Sequence, residues 1–125
     1  MNKNKNLVES FGNALAGILR TCRTERNFKI HLSAAACAYL LAYLLRLPLG
    51  DYLFLTLAVF IVLIAELINT AVEAAVDLAC GKTHSLLAQT AKDAAAGAVL
   101  LAAVLAVILG AIILAPPLWR LVTSL

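Results

Sequence analysis

The chain has 125 residues, of which 63% are hydrophobic and only 14% charged, with a formal net charge of +3 at pH 7; its mean hydropathy is +0.95. That balance excludes an ordinary soluble domain and makes the bilayer the natural solvent. The first residues, Met1 to Asn6, are polar and lead to no small-residue cleavage site, so the chain is expected to be used whole, without a secretory signal peptide. Cys22, Cys37 and Cys80 are odd in number and widely spaced. Neither a disulfide framework nor a metal knuckle follows from them, and they read as small apolar fillers.

Along the chain, Leu7, Phe11, Leu15, Ile18, Leu19 and Cys22 recur at three- and four-residue steps, while Arg20, Arg23, Arg26 and Lys29 crowd the end of the segment. This pattern predicts an amphipathic surface helix over residues 1–29, suited to the headgroup layer or to packing on its own bundle. Residues 30–47 are apolar apart from His31, Ser33 and Arg46, and predict a first, short span that ends at Pro48, Gly50 and Asp51. Arg46 reaches the interface by snorkelling, and His31 reads as interfacial rather than catalytic. A second span is predicted over 52–80 and a third over 94–115, the latter without any charge and closed by Pro116-Pro117 and an interfacial Trp119. The expected fold is therefore all-α and membrane-integral, one domain over 1–125, with a surface helix and three transmembrane helices.

Of the ten Lys and Arg residues, six precede the first span, one lies at its far end, two fall between the second and third spans and one follows the third. The positive-inside rule then places the N-terminus in the cytoplasm and the C-terminus outside. In that topology the second span runs inward, which brings Glu73 and Asp77 nearer the cytosol than Glu66.

That second span carries the anomaly of the sequence. An ionisable group at the centre of a span costs roughly 2.5 to 3.5 kcal/mol even on a lenient scale, so such groups are usually turned inward and functional. At about 100° per residue, Glu66, Asn69, Glu73 and Asp77 fall within an arc of about 80° and form one stripe. Carboxylates seven residues apart lie about 10 Å apart along the axis, too far to share one proton but suited to separate tasks. One would hold a hard divalent ion such as Mg²⁺ together with phosphate oxygens. The other, deeper in the membrane, would act as a general base. The plainer alternative is that the stripe pairs with basic groups on neighbouring helices or binds an oligomer together; clustering of four polar groups favours function. Thr70 reads as a packing residue.

A second polar group, His84, Ser85, Lys92 and Asp93, follows between the second and third spans. Lys92 is placed to meet a phosphate or to anchor the chain at the membrane surface, and Asp93 to cap the third helix. Gly81-Lys82-Thr83 fails as a phosphate loop, because position 76 is Val where a Gly is required and no strand precedes it. No dinucleotide loop, zinc helix or serine elbow occurs.

The run Glu66-Leu-Ile-Asn69-Thr-Ala-Val-Glu73-Ala-Ala-Val-Asp77, with Ala91-Lys92-Asp93 downstream and Gly17 and Glu25-Arg26-Asn27-Phe28 upstream, resembles the prokaryotic diacylglycerol kinase and undecaprenol kinase family over nearly the whole chain. The resemblance implies a homotrimeric, three-span enzyme of the bacterial cytoplasmic membrane that moves the γ-phosphate of ATP to a lipid hydroxyl, with no nucleic acid among its partners. It implies Glu66 as the base, Glu25 and Glu73 as ligands of Mg²⁺ or another divalent cation, and Asn69 and Asp77 as supporting groups beside them. Asn13, Glu25, Glu73, Lys82, Thr83, His84, Lys92 and Asp93 fall at nucleotide-contacting positions, although Asn13 stands where the family often carries an aromatic residue or His. The run from Glu25 to His31 is more similar to the undecaprenol kinase branch, with diacylglycerol as the alternative acceptor. From another class, the stripe also suits a small oligomeric proton or cation pathway or a membrane assembly subunit; a pathway would need acidic groups continuing into the third span, which has none.

Overall fold

The computed structural model describes residues 6–125 and folds them into four α-helices. Lys3 and Lys5, which enter the charge count above, lie outside the described residues. α1 spans Leu7–Thr24 and starts where the Asn6 side chain accepts a hydrogen bond from the Glu9 N–H at 2.8 Å. Such a cap satisfies one of the orphan donors of the first turn. α1 stops five residues short of the predicted 29. Glu25 takes up extended backbone while its N–H still closes the last turn on the Thr21 carbonyl, and this re-aims the chain so that Phe28 becomes buried.

α2, Arg26–Leu44, follows at once. Its end is a Schellman turn: the Arg46 N–H bonds the Tyr43 carbonyl and the Leu47 N–H reaches back to Ala42, both at 3.1 Å. Arg46 sits at φ 54, the left-handed position usually given to Gly. Leu47 packs on the cluster containing Ala42, which is the apolar contact that accompanies this motif.

α3 runs unbroken over Leu49–Cys80, 32 residues. The predicted start at 52 moves back because Pro48, in extended backbone, is the N-cap and not a breaker, and Asp51 complements the positive end of the first turn. Gly81, at φ 56, ends it. α4, Leu86–Thr123, is 38 residues long and starts eight residues earlier than the predicted 94. Ser85 caps it by accepting from the Ala88 N–H at 3.4 Å, so Asp93 is not the cap: it lies two turns inside the helix and accepts from Gln89 at 2.8 Å. Nor do Pro116-Pro117 close α4, which continues to Thr123. Proline's fixed φ is itself helical, and two adjacent prolines confine the lost bonds and the ring clash to one turn near the helix end.

α3 packs most extensively on α4, with α2 leaning on α3. A small core at the Pro48 end holds Ala42, Leu55 and Ile113, flanked by Tyr39 and Tyr52. The two tyrosine rings stack with centroids 6.4 Å apart, and the Tyr39 hydroxyl pairs with that of Thr56 at 2.6 Å. Much of the remaining apolar surface faces outward, for example Leu101 at 73% exposed. A surface of this kind needs lipid or further protein against it. Two helices, α3 and α4, are long and apolar enough to cross a membrane; α2, with Arg26 and Lys29 in its first turn, is not among them.

Candidate functional site

The stripe predicted on the second span lies on one continuous helix, α3, and the burial of its members is graded along it. Glu66 is 3% exposed, Asn69 is half-buried, and Glu73 and Asp77 are exposed. Two helical turns thus separate a carboxylate shut away from water from one open to it. Asn69 donates its side-chain N–H to Glu73 Oε1 at 3.3 Å, which orients that carboxylate. Thr70 donates its hydroxyl to the Glu66 backbone carbonyl at 3.0 Å and so serves the helix, as a packing residue would.

Two oxygens in this stripe are buried without a hydrogen bond, Oε1 of Glu66 and Oδ1 of Asn69. Unpaired buried oxygens are uncommon in folded proteins and ask for a partner. The Asn69 amide oxygen and the Glu73 carboxylate are both hard oxygen donors, the type that a divalent cation takes. Among the described residues, no group of three or more His, Cys, Asp or Glu side chains gathers to hold a metal.

Glu66 Oε1 lies 3.2 Å from Nε2 of His31 on α2. The two atoms are close enough for an ion pair but not aligned as a hydrogen bond, which is why this oxygen still counts as unpaired. His31 is therefore not the simple interfacial residue that its place near the start of the first predicted span suggested. The cost argument that singled out the α3 stripe applies equally to a lone imidazole in an apolar run, and would have flagged it.

At the Cys80 end of α3, α3 and α4 are joined by a turn around a recess of about 370 Å³, lined by Asp77, Lys82, Thr83, His84, Gln89 and Lys92 among others. The Gly81 backbone makes the turn possible, since φ 56 is open to few other residues. Lys92 bonds Asp77 at 2.5 Å, and that bond raises the ammonium above its ordinary value; Lys92 precedes the uncharged run that begins at Ala94. The pair gives Asp77 a definite place, holding Lys92 across the mouth of the turn. Asp93, bonded to Gln89, flanks the recess. Asn13 is exposed on α1 and Glu25 is half-buried at the joint between α1 and α2; neither lines the recess in this protomer.

A second, apolar groove of about 210 Å³ runs between α2, α3 and α4, with His31 at its lining and walls of small residues such as Ala34, Ala58, Ala106 and Gly110. Val62, one turn before Glu66, forms part of the same wall. Residues 12–114 match the family described as prokaryotic diacylglycerol kinase. A diacylglycerol kinase of Synechocystis sp. is 47% identical over 116 residues, which cover 93% of this chain and 66% of that protein. An undecaprenol kinase of Bacillus subtilis is 41% identical over 117 residues, covering 94% of each.

Proposed function

The chain belongs to the prokaryotic diacylglycerol kinase family, a family of lipid kinases, and on that premise we propose that it transfers the γ-phosphate of ATP to the hydroxyl of a membrane lipid, most specifically undecaprenol. The observation that carries this reading is the gradient along α3, from a buried Glu66 beside an apolar groove to an exposed Glu73 near a polar turn. A lipid hydroxyl arrives from the first side and a nucleotide from the second.

In this mechanism Glu66 takes the proton of the lipid hydroxyl as its oxygen attacks the γ-phosphorus, and ADP leaves on the opposite side. Phosphoryl transfer demands positioning and charge neutralisation more than covalent chemistry. Lys92 and the Lys82-Thr83-His84 turn supply cationic and polar contacts to the phosphates, with Asp93 and Asn13 toward the nucleoside. Glu73, helped by the free Asn69 oxygen and by Glu25, would hold Mg²⁺, which when bound neutralises the charge of the phosphate oxygens. Asp77 keeps Lys92 aimed across the turn until phosphate replaces it.

The undecaprenol assignment is supported by the Bacillus subtilis relative, whose name specifies that substrate and whose length the match covers almost fully; diacylglycerol is the second acceptor to test, given the Synechocystis relative. The wider arrangement we propose is a homotrimer in the bacterial cytoplasmic membrane, with α1 as surface helix, residues 30–47 of α2 and its turn as a third span, N-terminus inside and C-terminus outside. The outward apolar surface and the fact that Glu25 does not line the recess support several copies sharing each site. Incubation of the purified protein with labelled ATP, Mg²⁺ and a panel of undecaprenol, diacylglycerol and ceramide tests the reading. Labelled undecaprenyl phosphate is expected; label on diacylglycerol alone would reassign the acceptor, and no labelled lipid would sink the enzyme.

A further inference from the structure

We infer that His31 is a positioning residue for the reaction: it holds the Glu66 carboxylate through Oε1 so that the other oxygen faces the lipid hydroxyl. The inference rests on Glu66 being the base. A general base needs an orienting partner as well as reach to its proton, and such contacts are often loose before substrates bind.

The structure leaves one side chain for this role. Glu66 is 3% exposed and its Oε1 has no hydrogen bond. Its neighbours on α3 are committed elsewhere: the Thr70 hydroxyl to the Glu66 main-chain carbonyl and the Asn69 amide N–H to Glu73. The α4 wall of the adjacent groove, Ala103, Ala106, Val107 and Gly110, offers no polar side chain. His31 Nε2, 3.2 Å from Oε1, is the group in reach. A small rotation of the ring, with its proton on Nε2, turns the present contact into an aligned N–H donation. Because His31 also lines the apolar groove, a lipid chain lying there brings its hydroxyl past the imidazole to the carboxylate. The ring thus couples occupancy of the groove to the orientation of the base.

The test compares five variants of the full chain in lipid vesicles, with labelled ATP, Mg²⁺ and the acceptor lipid that the wild type phosphorylates. His31→Leu should lower kcat by roughly 10- to 100-fold while the KM for ATP stays within about threefold. His31→Gln, whose amide N–H falls near the Nε2 position, should recover most of that loss, whereas His31→Asn, which reaches only toward Nδ1, should not. This Gln against Asn contrast keeps the test decisive should the Leu variant fail to fold. In a Glu66→Gln background His31→Leu should cause no further loss, since a residue acting through Glu66 has nothing left to position. Wild-type kcat in His31→Asn, or an equal fold-loss in both backgrounds, would overturn the inference. A Glu66→Gln protein with wild-type turnover would instead overturn the assignment of the base.

Discussion

Glu66 and Glu73 are the same residue type on the same face of one helix, and only their surroundings separate the roles proposed for them. The buried carboxylate, next to an imidazole and an apolar groove, is suited to a proton; the exposed one, next to a bare amide oxygen, is suited to a cation. Glu66→Gln is expected to lower kcat by roughly 10²- to 10⁴-fold with ATP affinity almost unchanged, because a base acts in the transition state. Parallel loss of ATP binding, read by equilibrium nucleotide binding, would contradict that role. For Glu73→Gln the Mg²⁺ titration of activity should move to higher concentration by at least about tenfold, and an unmoved midpoint would count against metal ligation. At this scale the sequence was informative where periodicity was at work. The stripe follows from spacing within a helix, and its cost in lipid is what marks it as a candidate site. His31 did not follow, because its contact with Glu66 joins two helices and no local pattern encodes which face of α2 meets α3.

Helix ends, by contrast, depend on backbone details that hydropathy does not carry. The helical runs were legible, and the end of α3 at Cys80 falls where the second predicted span ends, yet other boundaries shifted: α1 stops at Thr24, α3 begins behind Pro48, and α4 starts at a Ser85 cap and runs through its two prolines. In each case a cap or a single backbone angle outweighed the apolar pattern. Two such angles have measurable consequences. Gly81, at φ 56 and ψ −129, occupies a region that a Cβ strains by about 1–3 kcal/mol. Gly81→Ala should therefore lower thermal stability in detergent and raise the KM for ATP, since Lys82, Thr83 and His84 ride on that turn; an unchanged KM would mean that the turn does not meet the nucleotide. Arg46 is the opposite case, a non-glycine in the left-handed position of a Schellman turn. Arg46→Gly should raise stability by about 0.5–1 kcal/mol in a thermal unfolding series. A loss would show that the guanidinium anchors the chain at the interface more strongly than its backbone strains it.

As a whole, the described chain has a core too small for its apolar surface. Only seven hydrophobic residues are buried in the protomer, while side chains along α3 and α4 such as Phe60, Ile68 and Leu100 are more than half exposed. Lipid or further protein has to supply the missing contacts. Glu25 at the α1–α2 joint does not line the recess, which fits a site completed between copies. Mixing Glu25→Gln and Glu73→Gln proteins, each impaired alone at limiting Mg²⁺, should then regenerate part of the activity at that Mg²⁺ concentration after subunit exchange. No regain, with exchange verified by cross-linking, would confine each site to one copy. Composition made the membrane location legible from the outset. The assembly was not, because which outward side chains meet lipid and which meet protein depends on a partner surface that a single chain's hydropathy does not distinguish.

Between Asp51 and Cys80, α3 contains neither Gly nor Pro. It is a stiff rod with Glu66 buried in its middle and Glu73 beyond. Soluble kinases commonly shield the transferring phosphate by folding a mobile segment over it, which keeps water from competing for it as a nucleophile. A helix without a hinge offers no such closing movement along its length. In the proposed mechanism discrimination against water falls instead to depth: the acceptor's hydroxyl is delivered from a medium in which its rival is scarce, and the bilayer itself does the work of a lid.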